Sequence, residues 1–230
     1  MSSVGMKILM AVSGLYFIFY VLMHMYGNLK VLAGQEAFDN YAHHLRTMLE
    51  PILPYTGFLW LFRLTLIVAL LAHLYSAFSL WSRAGSARQE RYRVKKAIGA
   101  SISSKWMRWG GVTLLLFVIF HLLHFTIAKI NFNGNYSDSQ LRINGVESPY
   151  LLLVAAFKVW WLVLIYLIAL VALGMHIHHG TWSAMQTLGF TDTARARNTA
   201  KAAGTLLAAV VVIGFAIPPL AVLFGAGTIK

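Results

Sequence analysis

The sequence predicts an all-α integral membrane protein, a bundle of five transmembrane helices in a single domain spanning 1–230, and three observations carry that expectation. Hydrophobic residues make up 59% of the 230 and charged residues 11%, with a mean hydropathy of +0.68. So little polar surface does not suit a water-soluble globule. Five runs, placed at 6–29, 55–81, 106–130, 150–181 and 202–224, reach the about 20 apolar residues that a hydrocarbon core about 30 Å thick requires of a helix. None of them alternates in the two-residue rhythm of a barrel strand. The third observation is that Lys and Arg concentrate in two of the connections between these runs.

The first run carries SGLYFIFYVLMH, in which Gly14 precedes His24 by ten residues. No separate charged head or small-residue cleavage site precedes it, so the expectation is a retained helix and not a cleaved signal peptide. The following NLKVLAGQEAFDNYAHHLRTMLEP is mixed in character and predicts an amphipathic helix on the outer face, with His43 and His44 as solvated or interfacial residues. The second run holds Arg63 and His73. The third, GGVTLLLFVIFHLLHF, echoes the first: Gly111 precedes His121 by ten residues, and His124 follows one turn later. His124 is placed to hydrogen-bond a haem propionate, a quinone or a backbone carbonyl. The polar NFNGNYSDSQLRINGVES reads as an external loop. The fourth run holds Lys158 near its start and His176, His178 and His179 near its end, while the fifth has no histidine, ends near Pro218 and Pro219, and reads as a packing helix.

Charge fixes the expected direction of each run, because short loops rich in Lys and Arg stay in the cytoplasm. The connection after the second run carries Arg83, Arg88, Arg91, Arg93, Lys95, Lys96, Lys105 and Arg108 against Glu90, and that after the fourth carries Arg195, Arg197 and Lys201 against Asp192. With Lys7, these define the inner side. On the other side Lys30, Arg46, Lys129, Arg142 and Lys230 are balanced by Glu36, Asp39, Glu50, Asp138 and Glu147. A formal charge of +12 invites a nucleic-acid reading. However, no helix-turn-helix, zinc module or basic arm with interleaved aromatics lies outside the apolar runs, so none is expected.

Direction then says which histidines meet. An imidazole in lipid is costly unless something bonds it, which makes His24, His73, His121 and one of the His176, His178, His179 group functional candidates. At about 1.5 Å per residue, His24 lies about 25 Å and His121 about 20 Å from the inner boundary, and His73 about 15 Å from it. The expected pairs are His24 with His121 in the outer half and His73 with His176 in the inner half, although His179 shares much of the His176 face. Haem iron takes two imidazoles as axial ligands, one on each side, so four histidines suit two haems. With no cysteine in the chain, thiolate-bound clusters and covalent haem attachment are excluded and any haem is b-type. Gly14 and Gly111 fall nearer the inner level, where a missing side chain would admit the macrocycle or let helices approach closely. Arg63 and Lys158, inside the outer ends of their runs, either meet haem propionates or extend to the headgroups. A proton-relay transporter is the structural rival, but no Asp or Glu lies inside any of the five runs.

His24 followed by GNLKVLAGQEAFDNYA, the RWGGVTLLLFVIFH run ending at His121, and His176 in HIHHGTWSAMQTLG together give a chain that, over nearly its full length, resembles the five-helix dihaem cytochrome b subunits of succinate:menaquinone oxidoreductases and fumarate reductases. In that family the fourth ligand stands four residues before a glycine and six before an aromatic. Gly180 and Trp182 therefore point to His176. The resemblance implies two haems b, ligated by His24 with His121 and by His73 with His176, and electron transfer to menaquinone. It implies a location in the bacterial cytoplasmic membrane, N-terminus cytoplasmic and C-terminus external. The implied partners are a flavoprotein subunit with covalent FAD and an iron–sulfur subunit with its clusters, both docked on the basic inner face, which equally suits anionic membrane lipid. The chain itself would not oxidise succinate. A higher oligomer is compatible with this scheme. Some fumarate reductases of the family carry a glutamate two residues before the fourth ligand, where this chain has Gly174; that favours succinate oxidation. The alternative within the same chemistry is the dihaem anchor of a hydrogenase, formate dehydrogenase or nitrate reductase.

Overall fold

The computed structural model describes residues 1–86 and 102–227, the side chains of 85–86 and 102–105 excepted. Most of the basic connection, including Arg88, Glu90, Arg91, Arg93, Lys95 and Lys96, lies outside the described residues, as does Lys230. Seven α-helices are described: α1 Ser3–Leu29, α2 Gln35–Thr47, α3 Gly57–Ser86, α4 Ile102–Leu122, α5 Pro149–Phe157, α6 Trp160–Thr187 and α7 Ala194–Leu223. Five stretches are long and apolar enough to cross a membrane, at Ser3–Ala33, Gly57–Ala84, Trp106–Ile127, Trp160–Thr187 and Ala194–Leu223.

Helix starts follow ordinary capping chemistry. The Ser2 hydroxyl accepts the Gly5 N–H at 3.1 Å to open α1, and the Thr193 hydroxyl accepts the Ala196 N–H at 3.1 Å to open α7. That second cap starts the last helix eight residues ahead of the expected 202, because its first two turns, ARARNTAK, are polar and escape an apolar count. α7 also runs on through Pro218 and Pro219 to Leu223. The amphipathic helix expected after the first span is α2. It packs close to α1 at Gly27, where an added Cβ would sit 2.7 Å from the Tyr41 ring. Burial against this seam pushes the Tyr41 phenol above its usual range; Tyr26 adds to the shift and Lys30 opposes it. His43 and His44 are exposed on α2.

The fourth span is not one helix over 150–181. It divides at Lys158 and Val159, the latter extended at φ −93° and ψ 107°, into the short α5 and the long α6. α5 is nearly wholly buried, so its free N–H groups need partners. Pro149 has no N–H to satisfy. The Asp39 carboxylate accepts from Tyr150 N at 3.1 Å and from the Ser148 hydroxyl at 2.6 Å, and that hydroxyl in turn accepts from Leu151 N at 3.2 Å. A carboxylate at this helix start also meets the positive end of its dipole. The loop before α5 is held by Asn133, whose amide donates to Ala155 O at 2.8 Å, and by a two-residue hairpin pairing Arg142 with Glu147. Its turn residues Asn144 and Gly145 both have positive φ, as such a tight turn requires.

α1 packs against α3 and α6, α4 packs against α6, and α7 lies along α6 and α1. The α6–α7 seam is tight because glycines remove side chains from it: a Cβ on Gly204 would lie 2.7 Å from the His178 carbonyl oxygen, and one on Gly174 2.6 Å from Val212. The neighbour order α3, α1, α6, α4 describes a four-sided arrangement whose diagonals are α1–α4 and α3–α6. Among the described residues, neither diagonal pair forms a packed seam. The fourth side is touched near the N-terminal end, where the Trp81 and Trp109 rings meet edge to face at 6.1 Å and Arg108 lies over Trp81. The buried apolar core lies toward the opposite end, around α5, the start of α6 and the last turns of α7.

Candidate cofactor site

Each diagonal of the four-sided arrangement is bridged by two imidazoles. Across α1–α4, the His24 and His121 ring centres are 5.8 Å apart at an interplanar angle of 79°. Across α3–α6, those of His73 and His176 are 6.2 Å apart at 57°. Of the three histidines ending the fourth span, His176 is the one that meets His73. The two pairs lie at different depths. Gly14, ten residues before His24, abuts the His73 ring with its would-be Cβ 3.4 Å from Cε1, and Gly111, ten residues before His121, abuts His176 at 3.7 Å. Ten helical residues separate the levels by about 15 Å. The His73–His176 pair is nearer the N-terminal end and the His24–His121 pair farther from it.

Ring spacing discriminates between chemistries. With a metal–nitrogen bond of about 2 Å and about 1.2 Å from nitrogen to ring centre, two imidazoles on opposite sides of one metal ion have centres about 6.4 Å apart. Two imidazoles in direct hydrogen bond, with nitrogens about 2.9 Å apart, have centres about 5.3 Å apart. The 6.2 Å of His73 and His176 is close to the first value, the 5.8 Å of His24 and His121 falls about midway between the two, and no hydrogen bond joins the rings of either pair among the described residues. Likewise, no group of three or more His, Cys, Asp or Glu converges among them.

Three of the four rings have polar neighbours in the chain. The Ser13 hydroxyl donates to Leu9 O at 2.7 Å, so at 3.1 Å from His73 Nδ1 it is the acceptor; His73 then carries its proton on Nδ1 and presents a lone pair at Nε2. His121 Nδ1 lies 3.3 Å from the Tyr166 hydroxyl. His24 is held by a stacked Tyr20 ring at 5.5 Å and by Phe215 of α7 at 5.7 Å, with the Asn28 amide 3.4 Å from its Nε2. α7 thus packs against the far pair through Phe215. His176 Nδ1 is buried without a hydrogen-bond partner, beside a small cavity lined by Trp106, Met107, Gly110, Ala172 and Met175. A buried orphan of this kind costs about 1–3 kcal/mol unless something bonds it.

The remaining candidates have their own partners. His124 is fully buried, and its Nδ1 lies 2.9 Å from the Tyr166 hydroxyl; that phenol, and not a backbone carbonyl, is its partner in the chain. Arg63 lies over the Trp60 ring at 5.0 Å. Lys158, in the break between α5 and α6, donates to the Tyr136 hydroxyl at 3.1 Å. Gly174 faces Val212 of α7. Ser13 and Tyr166 are the residues that sequence reasoning missed. Neither interrupts the periodicity of its run, and the one available signal was that each is a hydroxyl inside a lipid-length segment, where such groups take local partners. No family model, no curated protein and no solved structure matches the chain.

Proposed function

We propose that the chain is the membrane cytochrome b subunit of a respiratory succinate:menaquinone oxidoreductase, an anchor and electron-transfer subunit linking an iron–sulfur partner to menaquinone. One observation carries this reading: two imidazole pairs cross the two diagonals of one helix bundle at two depths, with ring centres 5.8 and 6.2 Å apart. His24 and His121 would hold one haem b at the outer level, and His73 and His176 another at the inner level. A bound haem supplies a one-electron iron centre.

The chain's own residues do the rest. Ser13 fixes the His73 tautomer so that Nε2 faces outward as a donor. Gly14 and Gly111 leave space beside the inner rings on the two helices that supply no inner ligand. Arg63, inside the second span, and Lys158, in the break just before the fourth, are the cations that would meet propionate charge, Lys158 by exchanging its bond to Tyr136. The surrounding apolar side chains keep water away from the imidazoles. On the N-terminal face, Arg83, Arg108, Arg195 and Arg197, with the basic connection outside the described residues, suit a flavoprotein and iron–sulfur pair, the former with covalent FAD.

Affinity purification from membranes through a tag on this chain tests the reading. A covalent-flavin subunit and an iron–sulfur subunit should copurify, and anaerobic succinate should reduce the b-type absorption bands. A molybdenum or nickel–iron subunit in their place would overturn the succinate assignment, and a colourless preparation would overturn the haem.

A further inference from the structure

The far pair has a third imidazole behind it. The Tyr166 hydroxyl stands 3.3 Å from His121 Nδ1 and 2.9 Å from His124 Nδ1, so one phenol from α6 bridges two rings one turn apart on α4. Tyr166 is 8% exposed and His124 not at all. The His124 ring is wedged by Phe125 stacked at 4.0 Å and Phe132 edge-on at 5.1 Å, and its Nε2 is buried with no hydrogen-bond partner. The α-helical ladder gives way to a π turn over Leu123–Ile127, where His124 sits.

Proton accounting gives this chain of bonds a direction. A phenol has one proton to donate, and each neutral imidazole carries one proton on one of two nitrogens. If His124 donates to Tyr166 and Tyr166 donates to His121, then His121 must hold its own proton on Nε2 and has no lone pair left for a metal. If His121 donates to Tyr166 and Tyr166 donates to His124, the His121 Nε2 is open, and the leftover proton lands on His124 Nε2, the buried nitrogen that has no acceptor. His124 Nε2 is without a partner in either arrangement, as a lone pair in the first and as an N–H in the second, and only the second leaves His121 able to ligate.

We propose that Tyr166, backed by His124, is a positioning residue that holds His121 as its Nδ1–H tautomer, turns Nε2 toward the metal and raises the donor strength of the ring. The inference rests on the haem reading above. The inner level is dressed differently: the hydroxyl beside His73 passes its own proton to a backbone carbonyl. An acceptor on Nδ1–H makes an imidazole a stronger donor, which favours ferric iron and lowers the midpoint potential. The phenol should therefore tune the outer haem alone.

The test is a redox titration with electron paramagnetic resonance of the low-spin haem signals, on the whole complex, with the outer haem identified by its loss in His24→Ala. In Tyr166→Phe both haems should remain, the outer midpoint potential should rise, the outer g-values should move and the inner haem should not respond. His124→Leu should shift the outer potential in the same direction by less. His124→Asn, whose Oδ1 can accept where Nδ1 does, should return it to the wild-type value. Unchanged outer signals in Tyr166→Phe, or equal shifts at both haems, would overturn the proposal while leaving the haem reading intact. Should Tyr166→Phe fail to assemble, the comparison of His124→Leu with His124→Asn decides, and identical potentials in the two would overturn it. A wild-type complex without haem would overturn the haem reading itself, an outcome distinct from a haem-replete complex whose potentials ignore Tyr166.

Discussion

At the scale of single residues, two of the hydroxyls inside the apolar helices contact imidazoles. Ser13 lies 3.1 Å from His73 Nδ1 and Tyr166 3.3 Å from His121 Nδ1, each placed to accept a hydrogen bond from that nitrogen. The glycines at the inner level can be weighed by distance. A Cβ at Gly14 would meet His73 at 3.4 Å, ordinary van der Waals contact, so Gly14→Ala should leave the haem content per chain unchanged. Gly14→Leu has no such room and should displace the His73 ring, halving the haem absorbance per chain while the outer haem's signal persists. Loss of both signals would show that Gly14 serves the fold at large and not the inner level. The four ring-bearing positions were legible from sequence because lipid makes every buried imidazole conspicuous and because depth can be counted along a helix. The hydroxyls that orient them were not, since a serine or tyrosine within SGLYFIFYV or WWLVLIYLIALV reads as one more half-polar residue in an apolar run.

Among elements, α5 shows what an apolar count leaves out. The run at 150–181 has no Pro or Gly at the break, where Lys158 is its one charged residue. The division at Lys158 is set by tertiary partners: Tyr136 takes the ammonium, and Asp39 and Ser148 together satisfy the N–H groups of Tyr150 and Leu151. The Asp39 contacts bring together residues more than a hundred positions apart, and no local pattern announces them. Asp39→Ala removes a tertiary cap and should lower stability by about 1–2 kcal/mol, read as a lower thermal midpoint in detergent with faster amide exchange at Tyr150. An unchanged midpoint would mean that Ser148 alone suffices. The start of α7 was missed for the opposite reason, its first turns being too polar to count as part of a span.

For the whole molecule, connectivity and charge make the arrangement intelligible. An odd number of spans leaves α1 and α4 running one way and α3 and α6 the other. Histidines placed late in each run therefore fall at two levels, and the packed order α3, α1, α6, α4 sets like-directed helices on the diagonals. Two sites about 15 Å apart along the axis are the outcome. The charge asymmetry from which an orientation is proposed lies largely in the connection outside the described residues, so it is read from sequence alone. The most direct measurement of the account is the pyridine haemochrome of the purified complex against the amount of this chain. Two haems b per chain are predicted; one would contradict the two-level arrangement, and none would contradict the assignment of the imidazole pairs to iron at all.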